Sequence, residues 1–277
     1  INNVIIEASS HGLDQKRLNH INFKAAVFTN FSQDHLDYHG SMSSYLNSKL
    51  KLFKYILKKK ASIISDTEIK QFKLLKKIAK QKNLKIFGIK EEVEQIKKIL
   101  LTNTTDYKIK NLSMATKAAK LCNIKNQSLY KSVTRLKDVS GRLELVKSFS
   151  NGIKVYIDYA HTPDALLKTL ESLKRICSNN ITIVFGCGGE RDKKKRPLMA
   201  KIANANCKKV FITDDNPRNE NPEKIRKTLS SYISKKKLFN IGNRSLAIKK
   251  AILNAEPFEV ILIAGKGHEE YQIYKNS

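Results

Sequence analysis

Two periods of hydrophobic and polar positions alternate along this chain, and the changes between them mark its elements. Residues 4–6, 25–29, 154–157, 181–185, 209–213 and 259–264 are short, mostly apolar runs rich in Val, Ile and Phe, and each reads as a strand. Between residues 69 and 79, Ile69, Phe72, Leu75, Ile78 and Ala79 recur near helical spacing, followed by a strand-like 84–87 and Gly88. Further helices are predicted over 91–101 and 112–121, whereas 102–107 is polar and unpatterned. In the second half Thr162-Pro163-Asp164 offers a cap, a proline suited to the first helical position and an acid for its positive end, so a helix should run from there to about residue 176. Asn221-Pro222-Glu223 starts another by the same logic, and one more lies near 197–204. Strands separated by helices of this length imply right-handed parallel crossovers and therefore an α/β fold. The change of pattern near Asp138 divides the chain into a domain over 1–139 and another over 140–277.

Length and composition narrow the class. A chain of 277 residues with 41% hydrophobic and 28% charged residues can bury a core, which argues against intrinsic disorder. Its longest apolar runs fall far short of the roughly 20 residues of a membrane span. The opening INNVIIEASS lacks the basic and apolar regions of a signal peptide and reads as a cut end. The net charge of +28 first suggests a polyanion partner, but 44 of the 53 basic residues are lysines spread over most of the chain. Arginine is the residue suited to forked phosphate and base recognition, and the short clusters at 58–60, 193–195 and 235–237 accompany no nucleic-acid-binding motif. No nucleic-acid partner and no membrane insertion are expected. Cys122, Cys177, Cys187 and Cys207 include no CxxC pair, which suits reduced thiols in a cytoplasm.

Candidate chemistry gathers where strands end. Four strands of the second half run straight into charged or glycine-rich turns, and open α/β sheets bind ligands at the carboxyl ends of their strands. In the first half residues 4–6 feed Glu7 and Ser9-Ser10-His11-Gly12, and 25–29 feed Asp34-His35-Leu36-Asp37. A carboxylate and an imidazole at adjacent strand ends, Glu7 and His35, could hold a divalent ion completed by a nucleotide, or be an unrelated pair facing solvent. Gly186-Cys187-Gly188-Gly189 could turn backbone N–H groups to an anion or simply make a tight turn. Arg191 and Arg218, each just beyond a strand, could fork onto a carboxylate. Asp158 could accept ribose hydroxyls or cap the next helix. No catalytic triad, HExxH or G-x-x-x-x-G-K-[ST] phosphate loop occurs.

Seven segments in order, EASSHGLDQKR (7–17), VFTNFSQDHLDYHGSMSSYLNSK (27–49), GRLE (141–144), DYAHTPDAL (158–166), FGCGGERDKKKRPLM (185–199), TDDNPRNENP (213–222) and AGKGHEEYQ (264–272), resemble the Mur ligases. Within that family they are most similar to the type that adds meso-diaminopimelate to UDP-N-acetylmuramoyl-L-alanyl-D-glutamate. The resemblance implies a parallel-sheet central ATPase-type domain, incomplete and without its phosphate loop, followed by a Rossmann-like C-terminal ligase domain. It implies a cytoplasmic, monomeric, ATP- and Mg²⁺-dependent enzyme of peptidoglycan synthesis, working through an acyl phosphate, of which this chain is a fragment inactive alone. A non-catalytic remnant of the family and a lysine-adding sister are the rival readings. Carried over residue by residue, Glu7, His35 and a carbamylated Lys49 would serve the metal and catalysis, and Ser9, Gln15 and Arg17 the UDP-muramoyl substrate. Arg142 and Asp158 would contact the nucleotide, while Arg191, Asp215, Asn216, Pro217, Arg218, Gly265 and Glu269 would form the amino-acid pocket. Arg218 in the DNPR form would meet the second carboxylate of meso-diaminopimelate.

Overall fold

A computed structural model describes residues 3–100, 104–177 and 180–275. They fall into two compact units, one within 1–32 and 39–137, the other within 33–38 and 138–277. In chain order the first half gives α1 (Ser10–Asp14), β1 (Ala25–Phe28), α2 (Leu36–His39) and α3 (Met42–Lys51), which runs on into a π-helical turn at Leu52–Ile56. It continues with β2 (Ser62–Ser65), α4 (Phe72–Lys82), β3 (Lys85–Phe87), α5 (Lys90–Leu100), α6 (Asp106–Leu121) and α7 (Asn126–Val133).

Strands β1, β2 and β3 make a parallel sheet in sequence order. Side chains on alternate faces of a strand separate its two cores. Phe28 and Ile63 join Leu50, Phe53, Leu75 and Ile78 on one face, while Ile64, with Val27 against it, joins Ile89 and Met114 on the other. The predicted spacing of α4 therefore works as an apolar stripe, ended by Asn83 in the left-handed region at φ 52°. Two expectations change here. Residues 4–6 form no strand: among the described residues they pair with neither sheet, and Val4 and Ile5 are exposed. An apolar run becomes a strand only where a ladder partner exists. The polar residues before 107 do not all stay irregular, because α6 starts at Asp106, and residues 101–103 lie outside the described residues.

The second unit contains β4 (Glu144–Ser148), β5 (Lys154–Asp158), α8 (Pro163–Ile176), β6 (Ile181–Phe185), α9 (Lys195–Asn206) and β7 (Lys209–Ile212). α10 (Pro222–Ser230), β8 (Leu238–Asn240), α11 (Arg244–Leu253) and β9 (Val260–Ala264) complete it. The six-stranded sheet has the order β4-β5-β9-β6-β7-β8, antiparallel only between β4 and β5. Ile183, Phe185, Val210, Ile212 and Leu262 pack with α8, α9 and α10, whereas Val184, Phe211 and Ile261 pack with α11 on the opposite face. Helices on both faces explain why these strands read as continuous apolar runs. The last strand is threaded back between β5 and β6, pairing Asp158 with Ala264 and Val184 with Ile263. That return is a topological switch point, where open α/β sheets place their crevice.

Candidate functional site

Because β5, β6, β7 and β9 are parallel and in register, the residues after each emerge along one edge of the sheet. Asn216 lies at its centre and is buried: its side-chain oxygen accepts from Lys266 Nζ at 2.8 Å and Ile273 N at 3.0 Å. Lys266 Nζ also donates to Glu269 Oε2 at 2.8 Å. Burial works to raise the Glu269 carboxyl, but the Lys266 ammonium, then Asn216 and Tyr159, outweigh it and hold it below the ordinary value. Gly265, at φ 108°, needs the freedom of glycine, and a Cβ there would lie 3.1 Å from Asp215 Oδ2. Arg218 is also left-handed, at φ 50°, uncommon for a side chain of its size. Its Nη1 donates to Gly189 O at 2.9 Å and Asn216 O at 3.3 Å. Pro217 lends its carbonyl to the Glu220 N–H at 3.0 Å. Cations and carboxylates thus meet along this edge.

Asp158 behaves differently from a ligand-facing acid. Its carboxylate accepts from Leu143 N at 2.6 Å, Ala160 N at 2.7 Å and Thr169 Oγ1 at 3.3 Å, so it ties the GRLE turn to the start of α8. Burial is the largest influence on it and pushes its carboxyl up against those three donors. Arg142 lays its guanidinium 4.2 Å from the centroid of the Tyr159 ring, which also stacks against His268 at 5.9 Å. This makes a flat, cationic-aromatic surface beside the same edge.

The six residues 33–38 also belong to this unit. Gln33 donates to Asp192 at 2.8 Å, and the Asp34 carboxylate lies 3.4 Å from His35 Nε2 and 3.6 Å from His161 Nε2. Arg191, largely exposed, reaches Asp37 at 4.0 Å. Burial would raise the Asp34 carboxyl, but His161 foremost, with His35 and Lys195, draws it down to about 2. Of this pair only the carboxylate is the hard oxygen donor that Mg²⁺ favours, so phosphate and water oxygens would have to supply most of the ligands of such an ion. Among the described residues no three His, Cys, Asp or Glu side chains are placed to hold a metal ion.

In the first unit Ser9 caps α1, its hydroxyl accepting from Gly12 N at 3.1 Å, and Gln15 closes the same helix. Arg17 is exposed nearby, and Glu7 is exposed in the extended stretch before the cap. Lys49 is half-buried on α3, with Nζ 5.5 Å from the Phe28 ring centroid and 5.4 Å from that of Tyr45. Tyr45 in turn stacks on His39, whose Nε2 lies 2.9 Å from Ser10 Oγ.

Several residues at the edge escaped sequence reasoning. Lys266 and Arg196 are buried cations among many exposed ones, and Glu220 binds Arg196 through a fork. Arg244 opens α11, donates Nη2 to Ala264 O at 3.0 Å and is 8% exposed, with Nη1 unpartnered among the described residues. Burial lowers its pKa against the pull of Asp215 and Glu269. Only the Asn243 cap ahead of Arg244 was a signal in the sequence.

Comparison with known proteins agrees with this architecture. The Mur ligase middle-domain family model matches residues 1–130, and the model described as Mur ligase, glutamate ligase domain, matches residues 141–267. The chain belongs to the Mur ligase family. It is similar to the UDP-N-acetylmuramoyl-L-alanyl-D-glutamate--2,6-diaminopimelate ligase of Rickettsia bellii (strain RML369-C), with 38% identity over 99% of this chain and 62% of that protein. The protein of the same name from Wigglesworthia glossinidia brevipalpis is 39% identical over 99% of this chain and 60% of its own. A solved structure of a ligase so named aligns with 98% of this chain and 60% of its own at 32% identity and a TM-score of 0.52. Mycobacterium tuberculosis folylpolyglutamate synthase complexed with ADP shares the fold, with a TM-score of 0.70 at 16% identity over 89% of this chain and 62% of that one. The chain spans about 60% of the length of these curated relatives.

Proposed function

We propose that the chain provides central and C-terminal parts of a cytoplasmic ATP-dependent ligase that joins meso-diaminopimelate to UDP-N-acetylmuramoyl-L-alanyl-D-glutamate. The supporting observation is the charged edge of the six-stranded sheet, where Arg218, Asp215, Asn216, Lys266 and Glu269 converge from turns far apart in sequence. Arg218 would take the distal carboxylate of the amino acid, Asp215 and Glu269 its ammonium, and Arg191 and Gly265 would line the same pocket. Arg142 would hold the nucleotide by charge and by its stack on Tyr159, with Asp158 fixing the loop that carries it.

Glu7, His35 and a carbamylated Lys49 would hold Mg²⁺, which neutralises phosphate charge when bound; Ser9, Gln15 and Arg17 would face the UDP-muramoyl substrate. Phosphoryl transfer depends chiefly on such positioning and charge neutralisation. Since the sequence has no G-x-x-x-x-G-K-[ST] loop, the 277-residue chain by itself should release no phosphate from Mg·ATP, whereas a protein extended upstream through such a loop should. In that longer protein Lys49→Ala should lose most ligation and recover part with short added carboxylates. Meso-diaminopimelate should be used about 10- to 150-fold better than lysine, as one charge-assisted bond allows. Equal use of the two amino acids would overturn the assignment.

A further inference from the structure

Arg218 does not hold itself in place. Its Nη1 is committed to the carbonyls of Gly189 and Asn216, so the guanidinium's remaining edge points wherever those two turns put it. The turns are in backbone contact: Gly189 N donates to Asn216 O at 2.9 Å, and a Cβ on Gly189 would lie 1.9 Å from Pro217 O.

What clamps them is a second arginine. Arg196, in the first turn of α9 and with 6% of its side chain exposed, forks onto Glu220, with Nη1 3.1 Å from Oε2 and Nη2 3.0 Å from Oε1. The same Nη2 donates to Gly188 O at 3.1 Å. Glu220 lies two residues beyond Arg218, and its Oε1 also accepts from Glu190 N at 2.6 Å. One ion pair therefore grips the turn after β6 on both sides of Gly189 and the turn after β7 just past Arg218. Ion pairs, exposed or buried, often add little net stability, so the contribution left to this half-buried one is geometry.

We propose that Arg196, acting through Glu220 and the Gly188 carbonyl, is a positioning residue for amino-acid selection: it sets the Arg218 guanidinium that distinguishes an amino acid with a second carboxylate. This rests on the reading of Arg218 given above. Arg196 itself touches no substrate.

The test compares binding of meso-diaminopimelate and L-lysine to the 277-residue chain by NMR titration. The parent should prefer meso-diaminopimelate by about tenfold or more. Arg196→Lys, which keeps the charge but loses the fork, and Glu220→Gln should each cut that preference at least about fivefold. Arg218→Ala should abolish it, and adding Arg196→Lys to Arg218→Ala should change the ratio no further, as coupled residues require. An unchanged ratio in both single variants, an equal loss for both amino acids, or additive effects in the double variant would overturn the inference while leaving the pocket standing. A parent chain without preference would instead overturn the pocket, and the inference with it.

Discussion

A carboxylate at the end of a parallel strand can serve a ligand or the chain itself, and Asp158 serves the chain with at least three acceptor contacts. Asp158→Ala should cost about 1.5–3 kcal/mol or more, because two N–H groups and a hydroxyl lose an acceptor inside the protein. A urea midpoint equal to the parent's would contradict that role. Thiols separate by depth in the same way. Burial pushes Cys187 and Cys207 up to about 12, while Cys122 and Cys177 are only half-buried. At pH 8 iodoacetamide should modify Cys122 and Cys177 first and reach the other two only on unfolding, which peptide mapping by mass spectrometry would check. Lys49 illustrates the opposite difficulty. As one of 44 lysines it carries no signal of its own in composition, and only the motif around it singled it out.

Elements were legible where capping and periodicity agree. Thr162, Pro163 and Asp164 marked the start of α8 correctly, and Thr162 Oγ1 accepts from Ala165 N at 3.3 Å. Thr162→Ala should cost about 1 kcal/mol in thermal melting. Strands β4 and β8 escaped notice because β4 is largely exposed at an edge and β8 is a three-residue edge strand directly behind the lysines at 235–237. The turns after β6 and β7 depend on the contact at Gly189, so Gly189→Ala should push the 215–218 turn away and lower the melting temperature more than the cap deletion does. Their clamp is also sensitive to acid. Burial tends to raise the Glu220 carboxyl, but Arg196 outweighs it, with the Glu190 N–H and Lys193, and its pKa lies below the ordinary value. A lowered carboxylate contributes stability above about pH 4.3 and loses it as pH falls through its folded value. The stability gap between parent and Glu220→Gln should therefore narrow as pH falls from about 5 toward 3. A gap independent of pH would show that the charge on Glu220 is irrelevant.

For the molecule as a whole the charge of +28 is the largest number and decides least. Some of it is paired, as with Lys117 and Lys120 around the buried Glu92 of α5, and much of the remainder is exposed lysine. Any DNA binding should be weak and fall steeply between 50 and about 200 mM salt. Sequence-selective binding that survived the higher salt would reverse that view. No helix among the described residues is long and apolar enough to cross a membrane.

By itself the sequence determined the α/β class, the starts of α5, α8 and α10 and the polar character of the strand ends. Those follow from local geometry, from side chains alternating along strands and from caps that satisfy free N–H groups. It also carried the motifs that place the chain among Mur ligases. Which strand ends would meet was decided only in three dimensions. The last strand returns between β5 and β6, and this brings Lys266 and Glu269 beside Asn216, about 50 residues earlier in the chain. Residues 4–6, as apolar as several real strands, found no ladder partner and stayed out of both sheets. Strand order is set by how helices cover two faces at once, a property of the assembled layers that no local window contains.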